Sequence, residues 1–186
     1  MGKHSRIFAD GRGVLFKRTS RYLRYSETRM GAVSSRRRPA PLNQAVSAQM
    51  QRMPRSSTRP EILLRRELHR RGLRFRVNHP HLPGRPDIAF TGARVAVFVD
   101  GCFWHACPQH GVMPKNNREW WQAKLGRNVE RDREKDKKLD KLGWVAVHVW
   151  EHENPIQAAD VVEKLWQDRR KPTPRRAAMI PQPPVL

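Results

Sequence analysis

The stretch from Phe98 to His110 reads F-V-D-G-C-F-W-H-A-C-P-Q-H and holds both cysteines of the chain, two histidines, an acid and a Phe-Trp pair. Soft metal ligands, acid–base groups and aromatic rings are thereby brought within reach of one another. Cys102-x4-Cys107-x2-His110 has the compact spacing of a structural zinc half-site, and a tetrahedral ion needs a fourth ligand. His152, just past the strand-like run Trp144–Trp150, is the candidate that completes the set. The competing reading buries both thiols as small hydrophobes and leaves the histidines on the surface. The polar, proline-containing loop argues against that.

The carboxylates suggest a second site beside the first. Asp87 follows Pro86 at the start of one predicted strand and Asp100 ends the next strand of the same hairpin, so both can meet at one end of a sheet. Mg²⁺ prefers such oxygen ligands, and cleavage of a phosphodiester needs a Lewis acid to stabilise developing charge. His105 falls outside the zinc set, and a neutral imidazole there suits proton abstraction from an attacking water. Turn chemistry explains an aspartate after proline equally well. Glu61 is accounted for by the capping box Thr58-Arg-Pro-Glu61. Asp132, surrounded by Arg131, Arg133, Glu134 and Lys135, reads as part of a solvated helix face.

Charge and aromatics indicate the partner. Of 186 residues, 38 are Lys or Arg and 17 are Asp or Glu, a formal net charge of +21 that favours a polyanion through counterion release. Anionic membrane is the rival partner, and a ribosomal or merely basic protein is the blandest reading. Phe103-Trp104 and Trp120-Trp121 lie among Lys115, Arg118, Lys124 and Arg127. One ring of each pair is expected in the core and the other open for stacking on bases, which favours nucleic acid. Two cysteines make no disulfide framework, no apolar run is long enough to span a membrane, and the N-terminus lacks the apolar core of a secretory signal. An intracellular, cytoplasmic protein acting at the nucleoid is therefore the expectation.

The elements that must position these groups follow from periodicity and punctuation. Residues 1–45 form a basic tail expected to be disordered, 46–170 the ordered domain, and 171–186 a second disordered tail rich in Pro and Arg. A helix over Pro60–Arg71 ends at Gly72, with Ile62, Leu63, Leu64 and Leu68 as its apolar positions. Strands are predicted over Leu73–Val77, Asp87–Phe90 and Arg94–Val99, the last two joined by a Thr91-Gly92 turn. A long helix runs from Glu119 to Leu142 and stops at Gly143. The strand Trp144–Trp150 and a helix from Asn154-Pro155 to Arg169 complete the domain, with Ile156, Ala159, Val162, Leu165 and Trp166 inward. This α-β-β-β-α-β-α order predicts an α/β domain with a mixed central sheet flanked by helices.

With those residues in place, the chain resembles the very short patch repair (Vsr) endonuclease family from about Ser47 to Trp166. The likeness rests on Met50, Thr58-x-x-Glu61, Gly72-Leu-x-Phe-Arg76, Leu82-Pro-Gly-Arg-Pro-Asp87, Gly101-Cys-Phe-Trp-His105, Asn128-Val-Glu-Arg-Asp132 and Gly143-Trp-x-Val with Trp150-Glu151. It implies a restriction-endonuclease-like fold with a structural zinc. The implied activity is nicking of duplex DNA at a T·G mismatch left by deamination of 5-methylcytosine. A monomer is expected, with mismatch-repair proteins as further partners. By this resemblance Asp87 holds the catalytic Mg²⁺ with the main-chain carbonyl of Val99, and His105 is the general base. Asp132 and Glu61 belong to the surrounding polar and metal-water shell. Phe103, Trp104 and Trp121 match aromatics that wedge beside the mismatch, and Met50 matches a residue inserting from the minor groove. Lys124 and Arg127 are the phosphate-binding candidates. Three departures stand out. Asp100 replaces a histidine and is a candidate second acidic Mg²⁺ ligand. Cys107 and His110 exchange the types of two zinc ligands with a shift of one residue, and His152 replaces a cysteine.

Overall fold

In two six-residue runs, Val95–Asp100 and Val145–Trp150, every odd-numbered position is a valine, and side chains of a strand alternate between faces. These runs are the central strands of the domain. The computed structural model describes residues 39–40, 43–52, 54 and 56–170, together with Phe8–Ala9 and Leu15–Phe16. In chain order the elements are β1 (Phe8–Ala9), β2 (Leu15–Phe16), α1 (Gln44–Arg52), α2 (Arg59–Arg70), β3 (Arg76–Val77), β4 (Ile88–Phe90), β5 (Val95–Asp100), α3 (Arg118–Lys141), β6 (Val145–Trp150) and α4 (Pro155–Arg170).

The main sheet has the order β3-β4-β5-β6. Its first three strands are antiparallel neighbours, and β6 lies parallel to β5 with Phe98 opposite His148 and Asp100 opposite Trp150. A parallel pair needs a crossover, which α3 supplies. The mixed α/β sheet is as predicted. The valines of β5 and β6 face one way, onto Leu64 and Leu68 of α2 and onto Ala158, Ala159, Val162 and Leu165 of α4. The alternate residues Ala96, Phe98 and Ala146 face α3, where Leu139 closes a smaller core with Leu82 and Trp144. Asp100 and His148 share that second face by parity.

Several local expectations change. Helix α1 lies in a stretch with no predicted element, and only Arg76–Val77 of the predicted strand Leu73–Val77 is paired. Of the predicted apolar stripe of α2, Ile62 and Leu63 are 42% and 39% exposed, because only the i, i+4 pair Leu64 and Leu68 points at the sheet. Ile156 in the first turn of α4 is likewise exposed, and Ala158 takes an inward place. The helix stops follow the sequence closely. Gly72 (φ +77°) donates its N–H to the His69 carbonyl at 2.9 Å, and Gly143 (φ +74°) donates to the Asp140 carbonyl at 2.8 Å. In the segment expected to be a basic tail, the described residues form the short antiparallel ladder of β1 with β2. Residues 39–40 and 43–45 of that tail are also described, and its last two residues already belong to α1; the remainder of it and residues 171–186 lie outside the described residues. Among the described residues no helix is long and apolar enough to cross a membrane.

Leu68 is fully buried between α2 and the sheet. Leu68→Ala is expected to lower the unfolding free energy by about 2–5 kcal/mol, against under about 1 kcal/mol for Ile62→Ala, as read from urea denaturation midpoints.

Candidate active site and metal centre

The end of β5 delivers chemistry to both sides of one turn. Asp87 stands one residue before β4, and its Oδ2 accepts the backbone N–H of Val99 at 2.8 Å, which clamps the carboxylate across the hairpin. Burial pushes its pKa up to about 6, the Val99 N–H opposes that, and the nearby charge of Glu61 adds to it. Glu61 is itself buried, and its carboxylate accepts the N–H groups of Ser57 at 2.9 Å and Thr58 at 3.3 Å and the Thr58 hydroxyl at 2.8 Å. Arg65 joins the two acids, with Nη2 at 2.8 Å from Glu61 Oε2 and 3.2 Å from the Asp87 carbonyl. The capping role expected of Glu61 is therefore realised, and it places the acid beside Asp87.

His105 reaches the same cleft from the loop after β5. Its Nδ1 lies 2.6 Å from Asp132 Oδ2 and 3.7 Å from Asp100 Oδ1. Burial works against the imidazolium, but the Asp132 carboxylate and the charge of Asp100 outweigh it and raise the His105 pKa. Burial of Asp132 opposes its ionisation, yet the bond to His105 and the Lys135 ammonium at 2.9 Å leave its pKa lowered. Asp132 is thus no solvated surface acid. It occupies the one side of α3 that faces the cleft, which the flanking basic residues hid in the sequence. Since Asp132 can only accept, Nδ1 of His105 carries the hydrogen and the basic lone pair of the neutral ring lies on Nε2.

Three further residues in the cleft carry no sequence expectation. His148 of β6 sits between two acids, with Nδ1 at 2.7 Å from Asp100 Oδ2 and Nε2 at 3.1 Å from Asp136 Oδ1. Burial disfavours its charge, but the two carboxylates prevail and lift the pKa to about 10. Lys135 passes under Gly84 (φ +80°), where a Cβ would come within 2.8 Å of the lysine Cδ, so that position tolerates no side chain without displacement. The available signals were a lone histidine inside the apolar run V-A-V-H-V-W and Asp132 and Asp136 at i, i+4 on one helix.

On the other side of the turn, one ligand atom from each of Cys102, Cys107, His110 and His152 lies within 4.8 Å of the other three. Cys102 Sγ is 3.0 Å and Cys107 Sγ 3.9 Å from His152 Nδ1, and Cys107 Sγ is 4.0 Å from His110 Nδ1. A tetrahedral ion with thiolate and imidazole ligands has edges of about 3.3–3.8 Å, so the set fits a metal with small adjustment. Without a cation, burial and the adjacent Cys107 push the Cys102 thiol up to about 12, the reverse of what a bound cation does to a thiol. Glu151 Oε1 accepts the Cys102 N–H at 2.6 Å, and a Cβ on Gly111 would strike the Cys107 carbonyl at 2.5 Å. The loop is built tightly around this cluster.

The aromatic pairs form one group across the loop and the start of α3. Phe103 lies 5.0 Å from Trp104 and 5.2 Å from Trp121, and Trp120 lies 4.9 Å from Trp121, all edge to face. Contrary to expectation, no ring of either pair is buried and all four are partly exposed. They lean on one another in place of the core. Asn128 of α3 donates to the Trp104 carbonyl at 3.0 Å and ties the group to the helix. Lys124 is partly buried and Arg127 exposed on the same helix. Met50 falls within α1, and its side chain lies outside what the structure describes.

Raising the Asp87 pKa from 3.8 to about 6 means that the fold disfavours the ionised acid by roughly 3 kcal/mol. That penalty is full above about pH 6, fades as pH falls towards 3.8 and is absent below it. Asp87→Asn is therefore expected to raise Tm at pH 8 without added Mg²⁺ and to leave it unchanged at pH 3.5. A gain independent of pH would refute burial as its cause.

A family model for the DNA mismatch endonuclease Vsr matches residues 43–109. The type II nicking enzyme V.NaeI of Lentzea aerocolonigenes is 48% identical over 133 residues, which cover 68% of this chain and 80% of that enzyme. The type II nicking enzyme V.XorIIP of Xanthomonas oryzae pv. oryzae is 42% identical, with 56% of this chain and 77% of that enzyme covered. The DNA mismatch endonuclease Vsr of Escherichia coli is 46% identical over 82 residues, 43% of this chain and 52% of that protein. Blocks of sequence, the cleft with its acids and imidazole, and extensive coverage of the nicking enzymes agree: the chain belongs to the Vsr family and is an endonuclease acting on DNA phosphodiester bonds.

Proposed function

We propose that this endonuclease nicks one strand of duplex DNA at a T·G mismatch arising from deamination of 5-methylcytosine, and so starts very short patch repair. The observation that supports this best is the His105–Asp132 pair at 2.6 Å in the same cleft as the clamped carboxylate of Asp87. Asp87, with the main-chain carbonyl of Val99, is the proposed holder of Mg²⁺. When bound, Mg²⁺ supplies Lewis acidity to the phosphoryl group and to the leaving oxygen. His105, oriented by Asp132 through Nδ1, takes the proton of the attacking water at Nε2. Glu61 and Arg65 hold the Asp87 end of the cleft in place. Phe103, Trp104 and Trp121 are proposed to stack beside the mismatch, Met50 to enter from the minor groove, and Lys124 and Arg127 to contact phosphates.

The Cys102–Cys107–His110–His152 cluster is proposed to hold Zn²⁺ as a structural ion. A Cys₂His₂ set suits zinc, and no open position is needed for a role confined to folding. It joins the loop carrying His105 to the end of β6.

A second reading keeps the nuclease and removes the mismatch: the relatives covered over most of their length are named type II nicking enzymes, without reference to a mismatch. Nicking of a T·G duplex at least about 100-fold faster than the matched C·G duplex, across varied flanking sequence, supports mismatch specificity, whereas equal rates at one sequence support the second reading. Asp87→Ala is expected to abolish nicking while leaving duplex affinity within about tenfold, and retained activity removes Asp87 from the mechanism. Cys107→Ala is expected to lose bound zinc by elemental analysis and to lower Tm; unchanged stability with no metal bound in either protein refutes the structural ion.

A further inference from the structure

His148 is the one polar side chain that points inward from the centre of β6, and it bonds to both acids that flank it. Asp100 and Asp136 are each buried, at 6% and 8% exposure, and neither contacts solvent as a surface acid would. Carboxylate oxygens only accept, so both ring nitrogens of His148 donate, and the imidazolium bridges β5 to α3. Phe98 stacks on its face at 5.1 Å with an interplanar angle of 15°, which fixes the ring plane. The consequence falls on Asp100. Its Oδ2 is engaged by His148 at 2.7 Å, and its other oxygen lies 3.7 Å from His105 Nδ1.

We propose that His148 is a positioning residue: by bridging Asp136 and Asp100 it turns Asp100 towards His105 as a second orienting acid, so that Asp100 serves the imidazole and not the metal ion. This rests on the reading of His105 as the proton acceptor. Asp132 of α3 then accepts the Nδ1–H of His105, the Asp100 carboxylate of β5 lies 3.7 Å from the same nitrogen, and the ring keeps its orientation when DNA enters.

Nicking kinetics of the full chain and Mn²⁺ binding test this. His148→Leu is expected to lower kcat roughly 10–100-fold with KM for duplex DNA within about twofold. His148→Asn, whose amide nitrogen falls where Nδ1 stands and keeps the bond to Asp100 while losing that to Asp136, is expected to recover part of that loss. Mn²⁺ titrated calorimetrically into zinc-loaded Asp100→Asn is expected to bind within about twofold of the unsubstituted protein. Weakening by about tenfold or more makes Asp100 a ligand and overturns the proposal. Equal rates in His148→Leu and the unsubstituted enzyme, or no recovery in His148→Asn, also overturn it. If His148→Leu does not fold, the asparagine variant and the Mn²⁺ titration decide. Full activity in His105→Ala defeats the underlying reading of the base, whereas an inactive His105→Ala beside a fully active His148→Leu defeats only the role of His148.

Discussion

The parallel pairing of β5 with β6 is the constraint on which both sites depend. Its register sets Phe98 beside His148 and Asp100 beside Trp150. From that alignment two things follow at once. His148 reaches Asp100 within the sheet, and His152, two residues past the end of β6, reaches Cys102, two residues past the end of β5. A slip of one residue would turn every side chain of β6 to the opposite face. The valines would then face α3, and both the buried polar bridge and the cysteine–histidine cluster would be lost.

The turn after β5 separates two kinds of work. Towards α3 it presents His105, held by a carboxylate whose own charge is supported by Lys135. Towards the end of β6 it presents Cys102, whose burial raises the pKa of its thiol. The cysteine–histidine cluster and His105 are thus linked through the backbone of one loop. The Trp104 carbonyl bonded to Asn128 and the His105 N–H donated to Gly101 leave the loop little freedom between its two duties.

The acids in the cleft oppose the basic surface of the whole chain. A net charge of +21 favours the approach of DNA, while Asp87, Asp100, Asp132 and Asp136 gather at one spot where phosphate would otherwise be repelled. The positive groups that reconcile the two are internal: Arg65 at the Asp87 end, Lys135 at Asp132, and the His148 imidazolium between Asp100 and Asp136. At Asp87 burial still outweighs the Val99 N–H and the Arg65 charge, and its pKa stays raised.

Local pattern alone determined much of this protein. Alternating valines located the two central strands, Gly72 and Gly143 ended helices, and the cysteine–histidine spacing marked Cys102, Cys107 and His110 as a group that the structure brings together in a cluster able to hold a metal, because each signal lies within a few residues and depends on backbone geometry or ligand type. The tertiary structure decided which acids share the cleft. Asp132 among basic neighbours looked like any exposed residue of a charged helix, and only the packing of α3 on β5 and β6 turned it to His105. Asp136 and His148 are 12 positions apart on different elements, and Asp100 and His148 are 48 apart, so no window of sequence contains the bridge they form. A partner supplied across a sheet or from a helix packed on it is fixed by register and packing, and that information is carried by the whole core.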